Sequence, residues 1–354
     1  MAEIRQNTSP AADDSMQNTA DIAAETPAVN PEDDPAGVSA DRPAVYSRKR
    51  EHRGRVLQVG IYLRKLLRMF VYQNEWKTFP MAALVAGTVA LVIRGSMFVT
   101  MEGTIRGSFA IACVCLWNGC FNSIQVICRE RDIIKREHRS GMHISSYIVS
   151  HMIYQAILCL LQTGLTLYIF RMMQMKIPTE GMFFPLMIMD LAVTIFLITY
   201  ASDITSLFIS CVVHNTTTAM TVMPFMLIFQ LVFSGGAFTL SGPAAWMTNL
   251  TISKYGLVAL CAQGNYNSLK SVLLWNTIFR VRESSPELKE ALRQIEKAGM
   301  LEDILARSGE AMQETAYEMT KSNIFSCWAH LILFTVIFAV LCVIVLEFID
   351  NDRR

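Results

Sequence analysis

The chain has 354 residues, of which 52% are hydrophobic and only 17% charged, and its formal net charge is +1. Soluble domains carry about a quarter charged residues, and the apolar residues here are bunched into runs long enough to cross a bilayer core of about 30 Å. This excludes an ordinary soluble domain and predicts an all-α polytopic membrane protein. The net charge says nothing about partners, because opposite charges occupy separate regions.

Residues 1–47 are rich in Ala, Pro, Asp, Asn and Ser and almost lack bulky apolar side chains. They cannot bury enough surface to offset ordering entropy, so a disordered acidic cytoplasmic tail is expected, with no cleavable signal peptide. Residues 48–77 form the next unit. The charge flips in Arg48-Lys-Arg-Glu-His-Arg-Gly-Arg55, a cluster suited to anionic lipid headgroups and, next to membrane runs, not to nucleic acid. Val56, Val59, Leu63, Leu66, Leu67 and Phe70 then recur at helical spacing, with Arg64, Lys65 and Arg68 off the stripe. This predicts an amphipathic helix lying in the interface ahead of the first span. Trp76 and Lys77 mark the turn into the bilayer.

Residues 78–350 read as a six-span domain, with spans near 79–99, 106–128, 144–170, 183–211, 217–240 and 324–348. Between the second and third spans lies Cys128-Arg-Glu-Arg-Asp-Ile-Ile-Lys-Arg-Glu-His-Arg-Ser-Gly141. Wound at 100° per residue, it places Val126, Ile127, Ile133 and Ile134 on one side together with Glu130 and Glu137. Arg129, Arg131, Asp132, Lys135, Arg136 and Arg139 fill the other. Two glutamates pointing the way the isoleucines point are expected to be half-buried and to meet donors from neighbouring segments. A topology-fixing loop is the simpler reading of the same charge. The basic residues before the first span and those of this segment lie an even number of crossings apart, which places the N-terminus, residues 129–141 and Arg353-Arg354 in the cytoplasm.

The connection 241–323 then lies outside. Its first part, from Leu240 to Leu260, is too polar to span and is broken by Gly235, Gly236, Gly242 and Pro243, so a re-entrant segment is expected. After Asn265 it becomes soluble, with a surface helix from Pro286 to Arg307 whose apolar residues include Leu288, Leu292, Ile295, Leu301 and Leu305.

The nine cysteines form neither a CxxC pair nor a Cys/His cluster at metal spacing. Seven fall in or beside apolar runs, where free Cys behaves as a small hydrophobe; only Cys261 and Cys327 lie where an oxidising exterior would allow a bridge, which is not expected. No P-loop, HExxH or Gly-x-Ser-x-Gly occurs in the sequence, so catalytic residues, metal and cofactor are expected to be absent from this chain. Asn118, Asn122, Gln125, Gln155, Gln162 and Gln230 lie within spans, where such residues usually join helices. Asp190 and Asp203 are functional candidates by default, although 13 residues set them about 220° apart on a helix, and Asp203 is expected near the cytoplasmic end, within reach of water. An ion-coupled carrier using Asp190 and Asp203 is one alternative reading. A non-transporting scaffold with an external binding domain is another.

The stretch Phe121 to Gly141, followed by Ser145-Ser-Tyr147, resembles the connecting-helix region of type-2 ABC exporter permeases, most closely the G subfamily and its bacterial relatives. It has the Glu-Arg, the Glu-x-x-Ser-Gly and the Ser-Ser-Tyr that opens the third span. Ile209-Ser210, Asn215, Ala219, Pro224, Gln230 and Phe233-Ser-Gly235 form a second match, and Trp246, Ser253 and Tyr255 a third. The similarity covers about residues 56–350. Departures are Ser206-Leu207 in place of a Gly-Leu pair, His151 in place of a Lys, a longer external loop, and a tail where many relatives carry a fused ATPase.

The resemblance implies an exporter permease half in a multi-pass plasma (inner) membrane, expected to be bacterial. It implies pairing with a second permease half, identical or related, and with an ABC ATPase subunit that holds ATP and Mg. Glu130, Arg131, Lys135, Arg136, Glu137, Arg139 and Gly141 would couple to the ATPase, moving the second and fifth spans. By the same analogy Asn118, Asn122, Phe225 and Phe229 would line the cavity. The scarcity of charge in the spans points to an apolar or amphipathic substrate.

Overall fold

The computed structural model describes residues 54–72, 76, 78–236, 242–272, 280, 286–300 and 313–348. The expectations for the acidic tail, for the basic cluster up to residue 53, for Lys77, for residues 301–307 and for Arg353-Arg354 fall outside the described residues. The described residues form helices and no β-strand.

Helix α1, Arg55–Tyr72, is the amphipathic helix expected ahead of the first span. The apolar helices follow as α2, Thr78–Ile93, α3, Met101–Ser123, α5, Ile144–Met172, α6, Met187–Val212, α7, Thr216–Val232, and α10, Lys321–Glu347. Between α3 and α5 runs the charged helix α4, Val126–Arg139, offset from α3 only at Ile124 and Gln125. The connection between α7 and α10 holds a 3₁₀ segment, Gly242–Leu250, then α8, Ile252–Gln263, and α9, Pro286–Lys297.

The stretches containing α3, α5, α6 and α10 are each long and apolar enough to cross a membrane. Helices α2 and α7 have 16 and 17 residues and so rise only about 25 Å. The fold is that of an all-α polytopic membrane protein, with four long and two shorter apolar helices among the described residues besides α8.

Several boundaries differ from the sequence reading, each for a local reason. The second apolar helix begins at Met101, not 106, because the Thr100 hydroxyl accepts the Gly103 N–H at 3.1 Å and Glu102 stands in the first turn, the pattern of a capped N-terminus. The fourth begins at Met187, not 183, because the carboxylate of Asp190 gathers the N–H groups of Met182, Phe183 and Phe184 into a loop. The fifth ends at Val232, not 240, and Gly235 follows at φ +79°.

The centre of the bundle is the crossing of α3 and α6. Leu191, Ile195, Ile198, Ala201, Ile204 and Leu207 of α6 are fully buried. Gly119 of α3 lets the two backbones meet: a Cβ there would stand 2.3 Å from the Thr199 carbonyl oxygen. Helix α10 shows the bundle a single seam through Ile324, Cys327, Leu331 and Leu346 and leaves Phe325, Ile332, Val336 and Val340 exposed, as a lipid-facing helix does. The re-entrant helix α8 is inserted against α3, α6 and α10. Its own flank Thr251 gives no side-chain cap, and the Gln230 side-chain oxygen instead accepts the N–H groups of Ile252 at 2.9 Å and Ser253 at 3.3 Å. Cys261 and Cys327 are free buried thiols.

Candidate functional site

The residues singled out in the charged segment come together with the amphipathic helix and the end of the fourth span. Glu130 is buried and accepts a hydrogen bond from the Tyr147 hydroxyl of α5 at 3.2 Å. Glu137 lies 3.6 Å from the Lys65 ammonium of α1. The Tyr62 hydroxyl titrates above its ordinary value, through burial first and the Glu137 carboxylate second. The Tyr62 and Tyr147 rings meet edge to face at 5.6 Å. Gln58 completes the seam: its amide donates to the Gly141 carbonyl at 3.4 Å and its oxygen accepts the His143 N–H at 3.1 Å. Both glutamates of α4 thus face donors on α1 and α5.

Two assignments from the helical wheel are corrected. Ile133 is 39% exposed, because α1, α5 and α6 cover a narrower side of α4 than the isoleucine spacing implies. Arg131 is not on the solvent face: it is half-buried and donates to the carbonyls of Cys211 at 2.9 Å and Val213 at 3.3 Å. These are orphan carbonyls at the end of α6, where a cation is favoured by the helix dipole. In return Ser210 accepts the N–H groups of Ile127 and Cys128 at the start of α4. This double clasp to the fourth span was not read from the sequence, although Ser210 stood among the matched positions.

Gly141 closes α4 at φ +101°. The Met142 N–H reaches the Glu137 carbonyl at 3.1 Å and the Gly141 N–H the His138 carbonyl at 3.0 Å, a Schellman ending that requires a left-handed residue. Arg129, Asp132, Arg136 and Arg139 are exposed and Lys135 is half-exposed. A cleft of about 560 Å³ opens between this side of α4 and the α6–α7 link, with Asp132 and Lys135 facing His214 and Thr217 across it.

The four cavity candidates do not share one environment. Asn118 is buried in the bundle. Asn122 and Gln162 exchange two hydrogen bonds, at 2.9 and 3.0 Å, joining α3 to α5. Phe225 is 70% exposed, and Phe229 is half-buried with its ring 4.9 Å from that of Phe233. The exposed aromatics of α3 are instead Trp117 and Phe121, with rings 5.4 Å apart. Their four-residue spacing is visible in the sequence.

The two intramembrane aspartates are both held by hydrogen bonds. Asp190 binds the three backbone N–H groups before α6. Asp203 is fully buried, a correction to the expectation that water reaches it, and accepts from the Ser123 hydroxyl and the Cys159 thiol. The cause is that α3 and α5 close over it from both sides.

The family model described as "ABC-2 type transporter" matches residues 61–263, from α1 through α8. Comparison with curated proteins finds no match. The matched region holds α4 with its bonds to Lys65, Tyr147 and Ser210 and is a membrane permease domain, not a catalytic one. Membership implies association with an ABC ATPase and a second permease half. The chain belongs to the ABC-2 type transporter family and is a multi-pass permease subunit of an ABC transporter.

Proposed function

We propose that this chain is half of an exporter, driven by a separate ATPase subunit that docks on the exposed side of α4. The observation that carries this reading is the way α4 is held: Glu130 to α5, Glu137 to α1, and both Arg131 and the N–H groups of Ile127 and Cys128 to the end of α6. A segment that only fixed topology would need no such anchoring. Its outer side offers Arg129, Arg136 and Arg139, with Asp132 among them and exposed Ile133 at the edge, a predominantly basic surface suited to an acidic groove on a soluble partner. Displacement of α4 would pass to the second span through its near-continuous junction with α3 and to the fourth through the clasp.

In this reading the N-terminus, α4 and the C-terminus are cytoplasmic, the excess of Lys and Arg supplying the orientation. The translocation path lies between two permease halves, along the exposed aromatic sides of α3 and α7 that carry Trp117, Phe121 and Phe225. An apolar or amphipathic substrate fits such a lining. Asp190 and Asp203, each occupied by donors of its own fold, do not favour the ion-coupled carrier.

The test is a mild-detergent pull-down of the tagged chain from its native membrane, with identification of what accompanies it and assay of ATP hydrolysis. A stoichiometric P-loop protein whose hydrolysis depends on this chain supports the proposal. Recovery of the chain without one overturns it.

A further inference from the structure

Helix α1 has three distinct sides. The first, through Leu63, Leu66 and Phe70, packs on Tyr154 and Leu158 of α5. The second carries Val56, Leu67 and Val71, which are 86, 41 and 66% exposed, a strip that is stable only against lipid or another apolar surface. The third is basic. Arg64 and Arg68, both exposed, stand four residues apart and so project together. They lie between the apolar strip and Lys65, whose ammonium is turned toward Glu137. Among the described residues neither guanidinium meets a carboxylate. A groove of about 520 Å³ runs beside them, lined also by Ile61, Lys65, Met69 and Tyr72.

We propose that Arg64 and Arg68 form a binding site for the phosphate of an anionic phospholipid in the leaflet against which α1 lies. The chemistry of the neighbours selects this occupant. A headgroup phosphate brings its acyl chains with it, and the exposed Val56, Leu67 and Val71 border the cations on the side where those chains would run. A soluble phosphate ester would leave that strip in water. Two guanidiniums without a carboxylate of their own favour a headgroup of net negative charge over a zwitterionic one, whose amine cancels the phosphate. Lys65 lines the same groove, but its ammonium is turned to Glu137, which leaves the two arginines as the cations without a carboxylate. The proposal requires that α1 lie at the bilayer surface; it does not require that α4 couple to an ATPase.

The experiment titrates the purified full-length chain, stripped of endogenous lipid in mild detergent, with phosphatidylglycerol or with phosphatidylcholine of matched acyl chains. Retained lipid is read by native mass spectrometry. A preference for phosphatidylglycerol of roughly 30-fold is expected from two basic residues near an anionic headgroup, falling to within about twofold in the R64Q/R68Q variant. Both residues are exposed, so the variant should fold; Arg55→Gln, which removes an exposed charge outside the pair, should keep the preference. No preference in the wild type, an unchanged preference in R64Q/R68Q, or an equal loss in Arg55→Gln overturns the site.

Discussion

Ser210, in the last turn of α6, accepts the backbone N–H of Ile127 at 3.0 Å and of Cys128 at 3.1 Å. It does for α4 what a capping side chain does for its own helix, since Gln125 at the flank contributes no side-chain bond. Arg131 answers from α4 to the terminal carbonyls of α6. The start of α4 and the end of α6 therefore satisfy one another. The same device recurs where Gln230 of α7 caps α8.

Replacing Ser210 by Ala should orphan two buried N–H groups. The cost of a buried donor without a partner is about 1–3 kcal/mol, so the variant should insert into the membrane but melt at a lower temperature in detergent. Cross-linking between cysteines placed in the exposed parts of α4 and the α6–α7 link should become less efficient. An unchanged melting temperature would show that water or another group caps α4.

The Lys65–Glu137 pair calls for a different expectation. Its side chains are 37% and 30% exposed, so it belongs with solvent-screened pairs worth about 0.2–1 kcal/mol, not with buried pairs whose disruption costs about 3–5 kcal/mol. Glu137→Ala should therefore leave folding and insertion nearly unchanged while lowering ATP hydrolysis by the partner. Lys65→Glu with Glu137→Lys should restore part of it. Normal hydrolysis in Glu137→Ala would sink the lever role for this contact.

Which parts of this were legible from sequence follows from the physics of each signal. Spans were legible because hydropathy is a sum over a window, and the unusual side of α4 because two glutamates at isoleucine phase violate a local rule. The ends of the helices were not. Asp190 shortens α6 through backbone N–H groups six to eight residues before it, a bond that hydropathy does not register, and Gln230 caps α8 from 22 residues away, beyond any local window. Arg131 was misplaced for the same reason: its wheel position is correct, but the carbonyls that draw it inward belong to α6, some 80 residues on. Trp117 and Phe121 were readable as a pair, yet only the packing tells which side of α3 stays uncovered.

Gly141 makes the turn from α4 to α5 at φ +101°, a region that costs an L-residue roughly 1–2 kcal/mol. Gly141→Ala should fray the last turn of α4, where Glu137 and Arg139 sit, and destabilise by about 1 kcal/mol. Gly141→Asn should lie between it and the wild type, because Asn tolerates the left-handed region. Hydrogen exchange of residues 137–143 reads this directly. Equal protection in all three chains would mean the turn does not depend on glycine.

Gly119 offers the strictest test of the α3–α6 crossing. A Cβ at this position would stand 2.3 Å from the Thr199 carbonyl oxygen, 2.8 Å from the Asp203 nitrogen and 2.9 Å from the Ser202 Cβ. The first two are backbone atoms of a buried helix and cannot swing aside. Even Gly119→Ala must push α3 from α6, lengthening the hydrogen bond from the Ser202 hydroxyl to the Leu116 carbonyl, now 2.8 Å. Overpacking of this kind costs about 1–3 kcal/mol. Gly164 in α5 is the control: nothing lies within 4 Å of its added Cβ, so Gly164→Ala should be neutral or stabilise by about 0.5–1 kcal/mol through helix propensity. Melting in detergent should rank Gly164→Ala at or above the wild type and Gly119→Ala well below it. If the two variants melt together, α3 and α6 do not cross at Gly119, and the path proposed from α4 through α3 and α6 loses its rigid centre.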